Sequence, residues 1–303
     1  MCLWTTGPAL FTKYSTVTKI MKLKFTKMHG LGNDFIVIDG INQHVSLTKN
    51  VIARLSDRYT GIGFDQCLVV EKSNAPDVDF FYRIYNANGQ EVGQCGNGAR
   101  CLAKFIERES LTHKKSFVIA TITTNMQLNL LDDETVTVSL GKPRFLPLEI
   151  PFLVNEVQSI YSINLANIGY HKIHVVNVGN PHAVLVMDNP TDKDVRTIGK
   201  AISEHYFFPQ QTNVGFMTIE SNNFIKLRVY ERGCGETNAC GSGAVAAAAI
   251  GRVNYNLAKE ITVQLPGGKL KVIWPDLKDV IYLNGPAAFV YDGVLENICE
   301  LLS

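Results

Sequence analysis

At 303 residues the chain is about twice the length of a common domain, so one large or two medium domains are expected. Hydrophobic residues make up 46% and charged residues 19%, ample for buried cores, while a formal net charge of +1 leaves no basic stripe to neutralise phosphates. Nucleic acid and membrane surfaces are therefore not expected partners, and no apolar run approaches the ~20 residues that span a bilayer.

Residues 1–20 lack the basic start, apolar core and cleavage pattern of a secretory signal, and read as an extension outside the fold. Leu23 to Met28 alternates apolar and basic side chains as a half-buried strand does, and His29 to Asp34 supplies turn residues before a short strand at Phe35 to Ile38. From Thr48 the spacing predicts a helix with Val51, Ile52, Leu55 and Tyr59 on one side and Gly61 as its stop. Strands follow at Cys67 to Val70 and Phe80 to Tyr85. Ala99 to Ser110 then places Cys101, Leu102, Phe105 and Ile106 on one helical face, and Ser116 to Leu140 gives two or three β-rich segments.

Gly141-Lys-Pro143, with Pro147 and Pro151 behind it, punctuates the middle as a linker would. The second half then repeats the first. Arg83 to Ala99 falls without a gap on Arg228 to Ala244, with seven of seventeen positions identical, including the Cys-Gly-x-Gly-Ala cores at Cys95 and Cys240. Gly179-Asn-Pro-His182 answers Gly32-Asn-Asp-Phe35. Val195, Ile198, Ile202 and Tyr206 answer the helix near Thr48, and Val214-Gly-Phe216 answers Ile62-Gly-Phe64 at an offset of 152. The alanine-rich Ala244 to Ile250 is apolar all round and reads as a buried central helix. The expected fold is α/β (α+β), a duplicated domain of about 140 residues, with equivalent loops meeting across a cleft.

Each of the two cysteines precedes a helix by two or three residues, where unsatisfied N–H groups are expected to lower a thiol's pKa towards neutrality. Flanking glycines would let a carboxylate approach the backbone N–H groups. Inversion of an amino-acid stereocentre needs one base and one acid on opposite faces, interchangeable when the reaction runs backwards; a thiolate and a thiol meet that demand. The other readings are bland or different in kind. Cys67, Cys101 and Cys299 read as core. The repeated Cys-x5-Cys spacing (Cys95 and Cys101, Cys234 and Cys240) is wider than zinc pairs favour, so no metal is expected. Gly241-Ser-Gly-Ala-Val-Ala246 fits a loose dinucleotide fingerprint but has no strand ahead of it.

Gly-Leu-Gly-Asn-Asp-Phe35, Gly-Phe-Asp-Gln66, Tyr-Asn-Ala-Asn-Gly89, Gln-Cys-Gly-Asn-Gly98, Gly-Asn-Pro-His182, Glu-Arg-Gly-x-Gly-Glu-Thr237 and Ala-Cys-Gly-Ser-Gly243 together resemble the diaminopimelate epimerase family, from Met21 to the C-terminus. The resemblance implies interconversion of LL- and meso-diaminopimelate without pyridoxal phosphate or any other cofactor, on the route to lysine and peptidoglycan, while the odd count of seven cysteines points to free thiols in a reducing cytoplasm. It implies two pseudo-symmetric domains, 21–140 plus 286–303 and 141–285, each a mostly antiparallel curved sheet around a central helix, and a homodimer. It makes Cys95 and Cys240 the acid/base pair. Gly96, Asn97, Gly241 and Ser242 would hold the reacting carboxylate, Asn33, Gln66, Asn86, Asn180, Asn213, Glu231 and Arg232 would line the pocket, and His182 and Glu231 would modulate proton transfer. Cys234 departs from the pattern by adding a thiol near the site. A proline-racemase-like enzyme and a thiol redox or ligand-binding protein are the competing readings.

Overall fold

The computed structural model describes residues 22–296; the extension 1–20 and Cys299 lie outside the described residues. The first half runs β1 (Leu23–Gly30), β2 (Asn33–Asp39), α1 (Lys49–Ser56), β3 (Gln66–Lys72), β4 (Phe80–Asn86), β5 (Glu91–Val92), α2 (Gly96–Arg108), β6 (Ser116–Ala120), β7 (Asn125–Leu130) and β8 (Val136–Ser139). The second half runs β9 (Tyr161–Leu165), β10 (Gly169–Asn177), β11 (Pro181–Val186), α3 (Asp192–Ser203), β12 (Asn213–Ser221), β13 (Phe224–Glu231) and β14 (Gly235–Thr237). It continues through α4 (Gly241–Tyr255), β15 (Glu260–Leu265), β16 (Gly268–Ile273), β17 (Tyr282–Gly285) and β18 (Ala288–Leu295).

Strand pairing reads the same from both ends. From β18 the ladder passes to β1, β2, β3, β4, β6, β7 and β8. It then crosses to β17 and runs through β16, β15, β13, β12, β11 and β10 to β9. The short strands β5 and β14 attach to β4 and β13. Only β2 with β3, β4 with β6 and their repeats β11 with β12 and β13 with β15 are parallel. The centre of the ladder is the antiparallel pair β8 and β17, where Val138 lies opposite Leu283.

The register corrects one sequence match. In the first half Phe35 pairs with Gln66, and in the second His182 pairs with Asn213, so the two halves superpose here at an offset of 147. Val214-Gly-Phe216 therefore repeats Cys67-Leu-Val69 inside the strand, not Ile62-Gly-Phe64, which lies in the loop before it. Tripeptide similarity around one glycine was weaker information than strand register. The opposite edge agrees, since Cys67 faces Tyr85 where Val214 faces Tyr230. The ion pairs agree as well: Arg83 grips Glu91 through Nε and a terminal nitrogen at 2.9 Å each, and Arg228 grips Glu236 at 2.7 and 2.8 Å.

Each half-sheet bends round one helix: α4 is apolar on nearly every side, and α2 buries a broad face from Asn97 to Ile106. Helix α2 packs on β1, β2 and β3 at one end of its half and β7 and β8 at the other, and α4 does the same with β10 to β13 and β15 to β17. The alanines of α4 are all buried, their small size letting the surrounding strands close in. The outer face of each half carries a shorter amphipathic helix. Thr48 caps α1 by accepting from the Val51 N–H, and Val51, Ile52 and Leu55 face inward. Thr191 and Asp194 form a capping box on α3, whose inner face is Val195, Ile198 and Ile202.

Tyr59 and Tyr206, expected on those inner faces, lie beyond the helix ends and are 96% and 72% exposed. Helix α1 stops at Asp57, well before Gly61, because its C-cap turns into extended backbone. The proline-rich middle is no free tether. Ile150 and Phe152 are buried in the α3 layer, with Phe152 stacked on Phe208 at 4.8 Å. The two central helices share one continuous hydrophobic core through Leu140, Val138 and Leu283, so the halves are fused below the cleft.

Candidate active site

Cys95 and Cys240 are the N-cap residues of α2 and α4, which begin at the very next residue and not two or three further on. Both have extended backbones, and both sulfurs accept the N–H three residues ahead: Gly98 N to Cys95 Sγ and Gly243 N to Cys240 Sγ, each 3.3 Å. A serine or aspartate caps a helix in the same way. Here a sulfur takes that place twice, at helix starts whose first-turn N–H groups have no intrahelical acceptor.

The two helix starts meet. Asn97 Nδ2 reaches Asn33 Oδ1 at 3.2 Å and the Ala239 carbonyl of the other half at 3.4 Å. Leu283 Cδ2 lies 3.3 Å from where a Cβ would stand on Gly96 and 3.0 Å from the same point on Gly241, so one leucine methyl packs against both helix starts and a side chain at either place would press on it. Both thiols feel the charge of the single Glu231 carboxylate.

Around Cys240 the second half builds a continuous polar chain. Cys240 Sγ is 3.6 Å from Ser242 Oγ, which is 3.0 Å from His182 Nε2 and 3.4 Å from Asn180 Nδ2. His182 Nε2 also meets Asn180 Oδ1 at 3.0 Å and Asn213 Nδ2 at 3.4 Å. Asn213 Oδ1 accepts the Arg232 backbone N–H at 2.9 Å. Glu231 accepts from Thr237 Oγ1 at 2.5 Å and hydrogen-bonds the Cys240 thiol. The Arg232 guanidinium is exposed at the rim, where it donates to the Gln210 carbonyl at 3.0 Å.

The first half supplies amides. Gln66 Nε2 donates to Asn86 Oδ1 at 2.8 Å, and Asn33 Nδ2 donates to Asp65 Oδ2 at 2.8 Å. Asp34 and Asp65 share Arg58, and Lys27 bonds Asp34 at 2.6 Å and the Gly63 carbonyl; those cations hold the half-buried Asp34 carboxyl well below the usual carboxylate range despite its desolvation. This ion cluster fixes the β1–β2 turn that carries Asn33. Asn180, Asn213, His182, Ser242 and Cys240 thus form one connected polar group, Asn33 reaches Asn97 of α2, Gln66 and Asn86 bond each other, and Arg232 is exposed. Among the described residues, Gln66 Oε1 and His182 Nδ1 are buried without a hydrogen-bond partner.

Electrostatics overturn one expectation. Burial pushes Cys95 up to about 11, against the pull of the Gly98 N–H and the Arg100 charge, and Glu231 adds to the rise. Burial and Glu231 push Cys240 well above an ordinary thiol, against Ser242 and Gly243. Helix N–H groups do favour both thiolates, but desolvation in so enclosed a place outweighs them. Glu231 is itself raised, chiefly by burial, with Thr237 and Cys240 holding it down. His182 falls to about 3 through burial and the charge of Arg232, so its imidazole is neutral.

Three contributors have no role assigned from the sequence: Arg100, Tyr82 and Thr237, the last although it closes the Glu-Arg-Gly-x-Gly-Glu-Thr motif. Arg100 sits three residues after Asn97 on the same helical face, the one charged residue among Ala99, Cys101, Leu102 and Ala103, and that misplacement was a legible signal. Tyr82 carried none, being one more apolar residue of an alternating strand. Cys67 and Cys101 are fully buried core thiols, whereas Cys234 is exposed beside Glu231. Among the described residues, no group of three or more His, Cys, Asp or Glu side chains could hold a metal, and no helix is long and apolar enough to cross a membrane.

Residues 25–146 and 174–290 match the family model described as diaminopimelate epimerase. Over 275 residues the chain is 56% identical to the diaminopimelate epimerase of Legionella pneumophila strain Corby, covering 91% of this chain and 99% of that one. Among solved structures it resembles a hydroxyproline epimerase from Agrobacterium vitis, with a TM-score of 0.66 at 11% identity, covering 91% of this chain and 92% of that one. It also resembles a PhzF-family phenazine biosynthesis protein of Bacillus anthracis, with a TM-score of 0.65 at 15% identity, covering 91% and 99%. At such identities the two structures speak to the duplicated fold alone.

Proposed function

The chain belongs to the diaminopimelate epimerase family, and from that premise we propose that Cys95 and Cys240 are the acid/base pair that inverts one α-carbon of LL-diaminopimelate to give the meso isomer. The observation that carries this reading is the pair of cysteine N-caps with matching 3.3 Å bonds at two helix starts that meet. One cysteine, as thiolate, takes the α-proton while the electron pair of that bond stays on the substrate. The other, as thiol, delivers its proton to the opposite face. The first cysteine ends as a thiol and the second as a thiolate, which is the starting state of the reverse reaction.

The charge that develops towards the substrate carboxylate is met by first-turn N–H groups of Gly96, Asn97, Gly241 and Ser242, aligned before the reaction begins. Asn33, Gln66, Asn86, Asn180 and Asn213, with Glu231 and Arg232, read the two zwitterionic ends of the substrate, and the partnerless Gln66 Oε1 is an acceptor for one of its ammonium groups. His182, neutral and bonded through Ser242, and Glu231, bonded to Cys240, modulate the proton transfers. The raised thiols support the same scheme, since a cysteine that ionises reluctantly in the free site is a strong base once substrate charge compensates it.

The domain division, 21–140 plus 286–303 against 141–285, is supported by β18 pairing with β1 and by β9 opening the second half. A homodimer is supported by β18 itself, an edge strand with Val290, Tyr291 and Val294 about half exposed. Free thiols at Cys67, Cys95, Cys101, Cys234 and Cys240 suit a reducing cytoplasm.

The test is isotopic. Reduced protein in deuterated water, with chelator and no added cofactor, places deuterium on the α-carbon of diaminopimelate. Label entering only proline would replace the substrate assignment, and label entering neither would remove the epimerase reading.

A further inference from the structure

The two halves of the site differ in charge, and the difference centres on Arg100. This arginine is fully buried on α2, where its donors go to neutral oxygens: Nε to the Pro286 carbonyl at 3.1 Å, one terminal nitrogen to the Gly96 carbonyl at 3.3 Å, and the other to Asn97 Oδ1 at 2.9 Å. Its slot is walled by two glycines. A Cβ on Gly30 would stand 3.3 Å from the guanidinium, and one on Gly285 would stand 3.3 Å from Nε. Among the described residues no carboxylate pairs with it, and the charges that act on it are the thiols of Cys101 and Cys95.

A buried cation without an anion is costly, and this one lies in the first turns of a helix, where the dipole also opposes it. Both costs fall when an anion occupies the helix N-terminus. The nearest group able to become one is Cys95, the N-cap. The position that repeats Arg100 in the second half is the buried Val245, and there the charged neighbour of the cysteine is the Glu231 carboxylate, which disfavours a thiolate.

Asn97 shares in this arrangement. With its oxygen committed to Arg100, its Nδ2 must face Asn33 and the other half. The titratable groups facing the Cys95 sulfur are Arg100 on its own helix, the buried thiol of Cys101, the partnerless phenol of Tyr82 from β4, and Glu231 from β13. Arg100 is the one cation among them.

We propose that Arg100 is a positioning residue that polarises the cysteine pair, holding the Asn97 amide in one orientation and placing the shared negative charge on Cys95 instead of Cys240. This rests on the two-cysteine reading of the site. It gives a chemically symmetric pair a preferred resting state, with Cys95 the base and Cys240 the acid.

The experiment is alkylation by iodoacetamide of the full-length, reduced protein across a pH series, with the two cysteines resolved by peptide mass spectrometry. In the wild type Cys95 reacts with a lower pH midpoint than Cys240; the reverse order overturns the proposal without any variant. In Arg100→Gln the Cys95 midpoint rises by roughly one pH unit, a tenfold slower alkylation at fixed pH below it, while Cys240 stays in place. Arg100→Lys keeps the charge and loses the fork, so its Cys95 midpoint stays at the wild-type value while KM rises several-fold. A Cys95 profile unmoved in folded Arg100→Gln, or both cysteines shifting together, removes the role of Arg100. Should Arg100→Gln fail to fold, a displaced Cys95 midpoint in Arg100→Lys overturns the proposal. The two-cysteine reading fails separately, if alkylation confined to Cys95 leaves turnover intact.

Discussion

His182 Nε2 lies 3.0 Å from Ser242 Oγ, which ties a fully buried imidazole on β11 to the first turn of the helix that Cys240 caps. The ring is held neutral by burial and by the charge of Arg232, which bring its pKa from an ordinary 6.5 down to about 3. The folded state therefore resists a proton that the unfolded state accepts. Stability that is fully present above pH 6.5 is lost as pH falls through that value towards 3. About 2 kcal/mol of it is lost between pH 7 and pH 5. Thermal melts of wild type and His182→Asn over that range check this: the variant starts lower and falls less steeply, and parallel slopes would contradict it.

Cys95→Ala and Cys240→Ala each lower epimerisation by about 10³-fold or more while the circular dichroism spectrum stays that of the wild type. Either variant retaining near-normal turnover takes its cysteine out of the pair.

Gly98 tolerates no side chain. A Cβ there would collide with Tyr82 Oη and stand 3.3 Å from Cys95 Sγ. Gly98→Ala should destabilise by about 1–3 kcal/mol and displace the thiol. Tyr82→Phe removes a buried hydroxyl that has no partner, so alone it is close to neutral for stability. In the double variant the loss in urea midpoint is smaller than in Gly98→Ala; simple additivity would show that the clash lies elsewhere.

Leu283→Ala opens a cavity against both Gly96 and Gly241 and costs about 2–5 kcal/mol. Because the same methyl group supports both helix starts, kcat falls along with stability. A variant that melts early yet turns over normally would mean that the helix starts hold their positions without it.

Mild oxidation with hydrogen peroxide removes two electrons and two protons from the thiol pair and joins Cys95 to Cys240, inactivating the enzyme until dithiothreitol restores it. Peptide mapping identifies the bridge. Inactivation with no such peptide, or with bridging through the exposed Cys234, would point to another cause.

The repeated cysteine motif, most strands and the buried alanine helix were legible because each is a local pattern: an identical core, a period of two, an apolar run. The register of the second half was harder to see. The match at Val214-Gly-Phe216 rested on one glycine between apolar residues, a pattern any buried strand can carry, and only the pairing of His182 with Asn213 settles it. Tyr59 and Tyr206 kept helical spacing after their helices had ended, since periodicity alone does not register a C-cap such as Asp57. The candidate site residues rest on sequence motifs, which carry no information on their electrostatics. The helix N-termini argued for easy thiolates, and only the closeness of the packing around Cys95 and Cys240 reveals that desolvation dominates.

The return of β18 to β1 also dictates an order of assembly on the ribosome. The outer edge of β1 stays open until Ala288–Leu295 have emerged and paired with it. The N-terminal half, though translated first, cannot finish folding first, and an exposed strand edge invites wrong partners while it waits. Nascent chains cut short before β18 should therefore be recognised by chaperones and proteases as unfinished.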